Sequence, residues 1–293
     1  MSRPSLAVTH PGVQGSGLGP HDGSVTTGLD PGRTGTDMLN YAIVGGGRLA
    51  RHFSRYFHLL EIPHTRWTRD RRSPFNSSDL PDAEQRLRDT VAKADRVLLL
   101  ISDSAITTVL KQYPFLHEKH LIHCSGAISI PGVCGAHPLM TFTDHLYDLD
   151  TYQSVPFIIE AGFRFDELFP GFPNPGFEIS IEDKARYHAM CVMEGNFSQL
   201  MWKGISDRFE QQIKLPAGTL HPYLEKVAEN FIQVPETALT GPLTRNDQNT
   251  IERNVQSLEG DALQDLYLAF VRFYQSDDFQ EWLSGQTRRE QIA

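Results

Sequence analysis

The chain has 293 residues, and its 27 Lys and Arg against 36 Asp and Glu give a net charge of −9, which argues against nucleic acid or an anionic membrane surface as the main partner. That length can bury a substantial core and predicts two ordinary domains. No apolar run approaches the roughly 18 residues that span a bilayer and no charged-then-apolar leader opens the chain, so a cytoplasmic protein is expected.

Residues 1–37 are rich in Gly, Pro, Ser and Thr and lack apolar periodicity, which predicts a disordered extension. The run YAIVGGGRLARHF (41–53) then reads as a buried strand, a glycine turn and the start of a helix. Gly45, Gly47 and Ala50 have the G-x-G-x-x-G/A spacing of a dinucleotide site: Gly45 permits the tight turn, Gly47 lets phosphate approach the backbone, and Ala50 allows close helix packing. Gly46, Arg48 and Leu49 complete the candidate cofactor turn, whose helix N–H groups face the anion. At the end of the next strand stand Trp67, Thr68 and Arg69, followed by Asp70, Arg71 and Arg72. Hydroxyl and cationic groups there suit the 2′-phosphate of NADP better than the bare ribose of NAD, although Asp70 would serve NAD if the strand ran one residue longer.

The pattern continues as helix 48–58, strand 64–69, helix 83–94, strand 96–102, helix 104–112 and strand 120–125. Alternation with continuous apolar strands predicts an α/β Rossmann domain, a parallel sheet with helices on both faces, with its core over 41–126. Ser102 and Asp103 follow the third strand and Ser125 the fourth, so all three fall at the ligand-bearing edge; capping of the next helix or of a turn is the alternative reading. Short strand candidates VCGAH, PFIIE and FEISI extend the same sheet to 181. From 182 to 293 the chain reads as all-α: a helix over 182–205, apolar nearly all round at AMCVM and so expected to be buried, then helices at 219–231, 234–240, 246–258 and 260–275.

The strings LIHCSGAIS (121–129), GAHPLMTF (135–142), ELFPGFPNP (167–175), ARYHAMCVMEGNFSQLMW (185–202) and TGPLTRNDQNTI (240–251) resemble the Rossmann-like family that carries the domain of unknown function 2520, with its C-terminal signature beginning near 135. That family belongs to the 6-phosphogluconate dehydrogenase-like superfamily, beside pyrroline-5-carboxylate reductase, prephenate dehydrogenase and ketopantoate reductase. The resemblance implies NADP-dependent oxidoreduction without an agreed substrate, and a homodimer paired through the helical domain.

Hydride transfer needs a proton-exchanging group and an anchor for substrate. His137 resembles the histidine of the HP motif in prephenate dehydrogenases, with Ser125 as the counterpart of the serine before it. Asn196 is similar to an asparagine on the corresponding helix of 3-hydroxyisobutyrate dehydrogenase. That enzyme pairs it with a lysine four residues earlier, where this chain has Val192, so a lysine-type mechanism is not implied. Thr244 and Arg245, in a segment that breaks one helix and starts another, could hold a carboxylate as pyrroline-5-carboxylate reductase does with a comparable loop; an Arg245–Asp247 ion pair is the alternative. His117, His120 and His123 recur every third residue but lack convergent geometry, so no metal is expected. The reading is an NADP(H)-dependent oxidoreductase acting on a small, anionic carbonyl, imine or hydroxy compound held between the two domains. The rival is a non-catalytic dinucleotide-binding or redox-sensing protein.

Overall fold

A computed structural model describes residues 39–69, 82–277 and 280. The extension over 1–37 and the residues Asp70, Arg71 and Arg72 lie outside those described. The chain forms two compact units that meet in sequence at Glu182 and Asp183.

The first unit is a seven-stranded sheet in the order β2-β1-β3-β4-β5-β6-β7. Its strands are β1 (Tyr41–Val44), β2 (His64–Trp67), β3 (Arg96–Leu99), β4 (His120–His123), β5 (Cys134–Pro138), β6 (Phe157–Glu160) and β7 (Gly176–Ile179). All pairings are parallel except β5 with β6. The three short strand candidates therefore do extend the sheet. Side chains alternate across it: Tyr41 and Ile43 enter one core, Ala42 and Val44 the other. The first core is aromatic, with Phe53 and Phe57 from α1 (Arg48–Leu59) meeting Phe157, Phe169 and Phe172. The second is aliphatic and is closed by α2 (Ala83–Val91) and α3 (Asp103–Gln112), through Leu87, Val91, Ile106 and Leu110. Two short helices without a clear periodic signal, α4 (Leu149–Ser154) and α5 (Phe165–Leu168), lie in the connections of β5–β7.

A buried polar network ties these connections to α1. His52 Nε2 donates to the Thr143 carbonyl at 2.9 Å, so its Nδ1 accepts from Tyr152 Oη at 2.8 Å. Asn174 accepts from Tyr56 Oη at 2.5 Å and donates to the carbonyls of Tyr152 and Val155 at 2.7 and 3.0 Å.

The second unit is helical. A continuous run comprises α6 (Lys184–Cys191), a π-helical segment Val192–Phe197, α7 (Ser198–Arg208) and a second π segment Phe209–Ile213. It stops at Lys214, whose φ of 64° is left-handed. Then come α8 (His221–Gln233), α9 (Gln248–Ser257) and α10 (Leu263–Tyr274). Two expectations fail here. Residues 234–240 are turn and irregular chain instead of a helix, because Pro235 disfavours helical backbone at Val234, which lies at φ −143°. The helix around AMCVM is not buried: Met190 and Met193 are exposed, since an apolar girdle needs covering elements on every side, and none covers them among the described residues.

Candidate functional site

The glycine turn sits at the C-terminal edge of β1. The Gly45 N–H donates to the Trp67 carbonyl at 2.9 Å, and Gly45 adopts φ 154° with its α-carbon so close to β3 that a Cβ would lie 2.1 Å from the Leu100 carbonyl oxygen. No other residue fits there. Gly47 is the N-cap of α1, and a Cβ added to it would meet nothing within 4 Å, so the space over the helix N-terminus is open. The first turn of α1 has no acid. Its N–H groups, the exposed Arg48 and the half-buried Leu49 face this space or flank it, while Ala50 is fully buried against the sheet. Backbone donors, helix dipole and arginines together fit a pyrophosphate.

Thr68 and Arg69 follow β2 directly, and Thr68 lies beside Gly46, whose added Cβ would be 3.2 Å from Thr68 Cγ2. Three further charged residues belong to this corner and escaped the sequence reading. Arg66 Nε donates to the Gly45 carbonyl at 3.0 Å and so braces the turn; burial first, then the nearby Arg51 charge, lower its pKa. Arg51 pairs with Asp144, which also lies 3.8 Å from Arg48 Nε. Nothing in the loop sequence marks Asp144.

At the same edge, Ser102 is the N-cap of α3 but its side chain makes no capping bond. Asp103 instead accepts from Ser125 Oγ at 2.7 Å, and that oxygen accepts the Ala127 and Ile128 N–H groups at 3.2 and 3.3 Å. His137 lies within β5, half-buried, as the strand candidate VCGAH placed it. The β4–β5 register pairs His123 with Gly135, each two residues before Ser125 and His137 respectively. The sheet thus gathers the glycine turn, Ser102, Asp103, Ser125 and His137 along one edge, where open α/β sheets hold ligands.

The remaining candidates belong to the helical unit. Asn196 lies in the π segment beside Gly195 and is exposed, like Met190 and Met193 on the same helical run. Inserting one extra residue per turn shifts which side chains share a face, and such insertions recur at functional sites. Thr244 and Arg245 are exposed in the turn before α9. Thr244 Oγ1 donates to the Gly241 carbonyl at 3.0 Å, and Asp247 caps α9 by accepting from Thr250 N at 3.1 Å and Oγ1 at 2.7 Å. Among the described residues no group of three His, Cys, Asp or Glu could hold a metal ion, and no helix is long and apolar enough to cross a membrane.

Residues 160–272 match the family model of the domain of unknown function 2520. The match to the 2520 domain starts at the last residue of β6 and runs almost to the end of α10. Among solved structures, a candidate NADP oxidoreductase from Bacteroides fragilis is 21% identical, with a TM-score of 0.62 over 80% of this chain and 97% of that one. Protein TM1727 from Thermotoga maritima is 22% identical, with a TM-score of 0.60 over 84% of this chain and 99% of that one. An imine reductase from Myxococcus stipitatus in complex with NAD+ is 10% identical, with a TM-score of 0.50 over 80% and 93%. These likenesses show the fold: a Rossmann-like sheet followed by a helical region. No curated protein matches the chain.

Proposed function

We propose that the chain is an NADP(H)-dependent oxidoreductase that moves hydride to or from a small anionic carbonyl, imine or hydroxy compound. The observation that carries this reading is the glycine turn: it is closed against Leu100, open above Gly47 and rimmed by Arg48, Thr68 and Arg69. The Bacteroides structure, described as a candidate NADP oxidoreductase, supports it, and the imine reductase in complex with NAD+ supports a nicotinamide cofactor. When bound, the nicotinamide supplies or accepts the hydride. The chain's own residues then divide the work: the α1 N-terminus and Arg48 hold the pyrophosphate, Thr68 and Arg69 the 2′-phosphate, His137 exchanges a proton with substrate, and Thr244 and Arg245 with Asn196 anchor it. The partner we propose is a second copy of the chain, paired through the helical unit, whose exposed Met193, Leu200, Phe231 and Phe273 offer the apolar surface.

Titration with NADPH and NADH tests the cofactor. NADPH should bind at least tenfold tighter, because each charge-assisted hydrogen bond to the 2′-phosphate contributes roughly 1.5–3 kcal/mol. Arg69→Ala should erase the preference, and equal affinities in the wild type would discard the assignment. With a substrate in hand, His137→Ala should lower kcat about 10²- to 10⁴-fold and spare cofactor binding, whereas Arg245→Ala should chiefly raise KM.

One observation favours the binding-only reading. Ser125 Oγ is occupied by three hydrogen bonds, to Asp103, Ala127 and Ile128, as a turn-forming hydroxyl is. On that reading His137→Ala changes nothing that NADPH binding can report and no turnover is found.

A further inference from the structure

Two titratable side chains lie inside the sheet unit, directly behind the candidate edge, and take no part in the function proposed above. His123, the last residue of β4, is 0% exposed and Glu160, the last of β6, is 2% exposed. His123 Nε2 lies 3.9 Å from Glu160 Oε1. The two strands are separated by β5, and the side chains meet over Gly135, where an added Cβ would fall 2.4 Å from Glu160 Cδ. Glycine at 135 therefore makes room for the carboxylate. Taking a carboxylate and an imidazole out of water is costly, and a β-branched apolar residue would suit either strand better. The explanation of the pair lies in what it touches.

His123 Nδ1 accepts the backbone N–H of Ser125 at 3.2 Å. An imidazole that accepts at Nδ1 carries its proton on Nε2 when neutral, and here Nε2 faces Glu160. Ser125 passes the constraint outward, since its Oγ donates to Asp103 at the start of α3 and gathers the N–H groups of Ala127 and Ile128. A chain of contacts thus runs from the buried Glu160 through His123 and Ser125 to Asp103.

We propose that His123 and Glu160 are positioning residues: through the Ser125 backbone they hold the Ser125–Asp103 pair and the turn 125–128 in the shape that receives the dinucleotide. The pair acts by geometry, and no bond is made or broken on it. This inference rests on the dinucleotide reading above.

NADPH titration and thermal melting of the full chain, its His123→Asn and His123→Leu variants and Glu160→Gln form the test. Asparagine places Oδ1 where the imidazole has Nδ1 and keeps an acceptor for the Ser125 N–H; leucine keeps bulk and no acceptor. His123→Leu should weaken NADPH binding about tenfold, the effect of one lost hydrogen bond at the edge. His123→Asn should stay within about threefold of wild type although both variants melt earlier, and Glu160→Gln should fall between them. Leucine binding like wild type, or asparagine binding as weakly as leucine, overturns the proposal. Should the variants not fold, the imidazole ¹⁵N spectrum of the wild type decides: the Nε2–H form at His123 supports it and the Nδ1–H form overturns it. A wild type that binds neither NADPH nor NADH removes the dinucleotide reading itself, whereas one that binds with indifferent variants removes this inference alone.

Discussion

The two units are held in different ways. In the sheet unit, Tyr41, Ile43, Phe57, Leu98 and Phe169 are all within 2% of full burial, and both faces of β1 and β3 are covered. In the helical unit, Ile251 is the one buried hydrophobic residue among those described, while Leu200 is 70% and Ile232 79% exposed. What holds its helices is polar: Arg208 grips Asp261 with bonds of 2.6 and 2.5 Å, Asp261 also accepts the Leu263 N–H, and Asp247 caps α9. The first unit closes its core by itself; the second presents apolar faces that need a further surface.

The largest expected effect breaks the sheet unit. Phe57 touches the rings of Tyr41, Phe53 and Phe172 at 4.9, 5.7 and 5.7 Å. Phe57→Ala should cost about 3–5 kcal/mol in chemical denaturation. The same truncation at the exposed Phe273 should stay within about 0.5 kcal/mol in dilute, monomeric protein. Equal costs would show that the helical unit has a closed core after all.

A smaller effect separates apolar from polar support inside the sheet unit. Asn174→Ala strands the Tyr56 hydroxyl and leaves the Tyr152 and Val155 carbonyls without their donor, a cost of about 1–3 kcal/mol. Burial already pushes the Tyr56 hydroxyl well above its ordinary pKa, so it cannot answer by ionising. A variant as stable as wild type would mean that water replaces the amide.

Much of the sheet unit was legible because its signals are local. Ile43, Val44 and the three glycines announce a strand and its turn, and RVLLL and HLIH end where the chain reaches the ligand edge. Ser125 and His137 fall towards the same sheet edge because the strands β4 and β5 run parallel. Arg51 and Asp144 were not legible, being 93 residues apart and joined through a loop with no periodic pattern. His123 and Glu160 were in view only as candidate metal ligand and strand end, since nothing local says that Gly135 opens a path between them. The burial of AMCVM was misjudged for a related reason: periodicity shows that a helix face is apolar but not whether this chain or another covers it.

The second copy can be tested on that face. Ile232→Asp puts a charge on the exposed side of α8 and should leave the far-ultraviolet circular dichroism unchanged while halving the sedimenting mass. A wild type that already sediments as a monomer, or a variant that stays a dimer, would move the proposed contact elsewhere or end it.

The smallest expected effect is one of pH, and it sharpens the contrast. Hydrogen bonds from Arg208 and then from the Leu263 backbone hold the Asp261 carboxyl far below the ordinary 3.8, and bonds from Thr250 lower that of Asp247. For a carboxylate whose folded pKa lies below its unfolded one, the stabilisation is complete above the unfolded value and is lost as pH falls through the folded one. The ends of α9 and α10 should therefore keep their amide protection at neutral pH and begin to lose it below about pH 4, while β1 and β3, whose neighbours are apolar, keep theirs. The short helix α4 is the control within the sheet unit, since Asp148 caps it through Thr151 and is lowered in the same way. Hydrogen exchange at pH 7 and pH 3 reads all three regions together, and Asp261→Asn should make the start of α10 labile at both. If the sheet strands open first on acidification, polar ties rather than apolar burial hold that unit, and the contrast between the two fails.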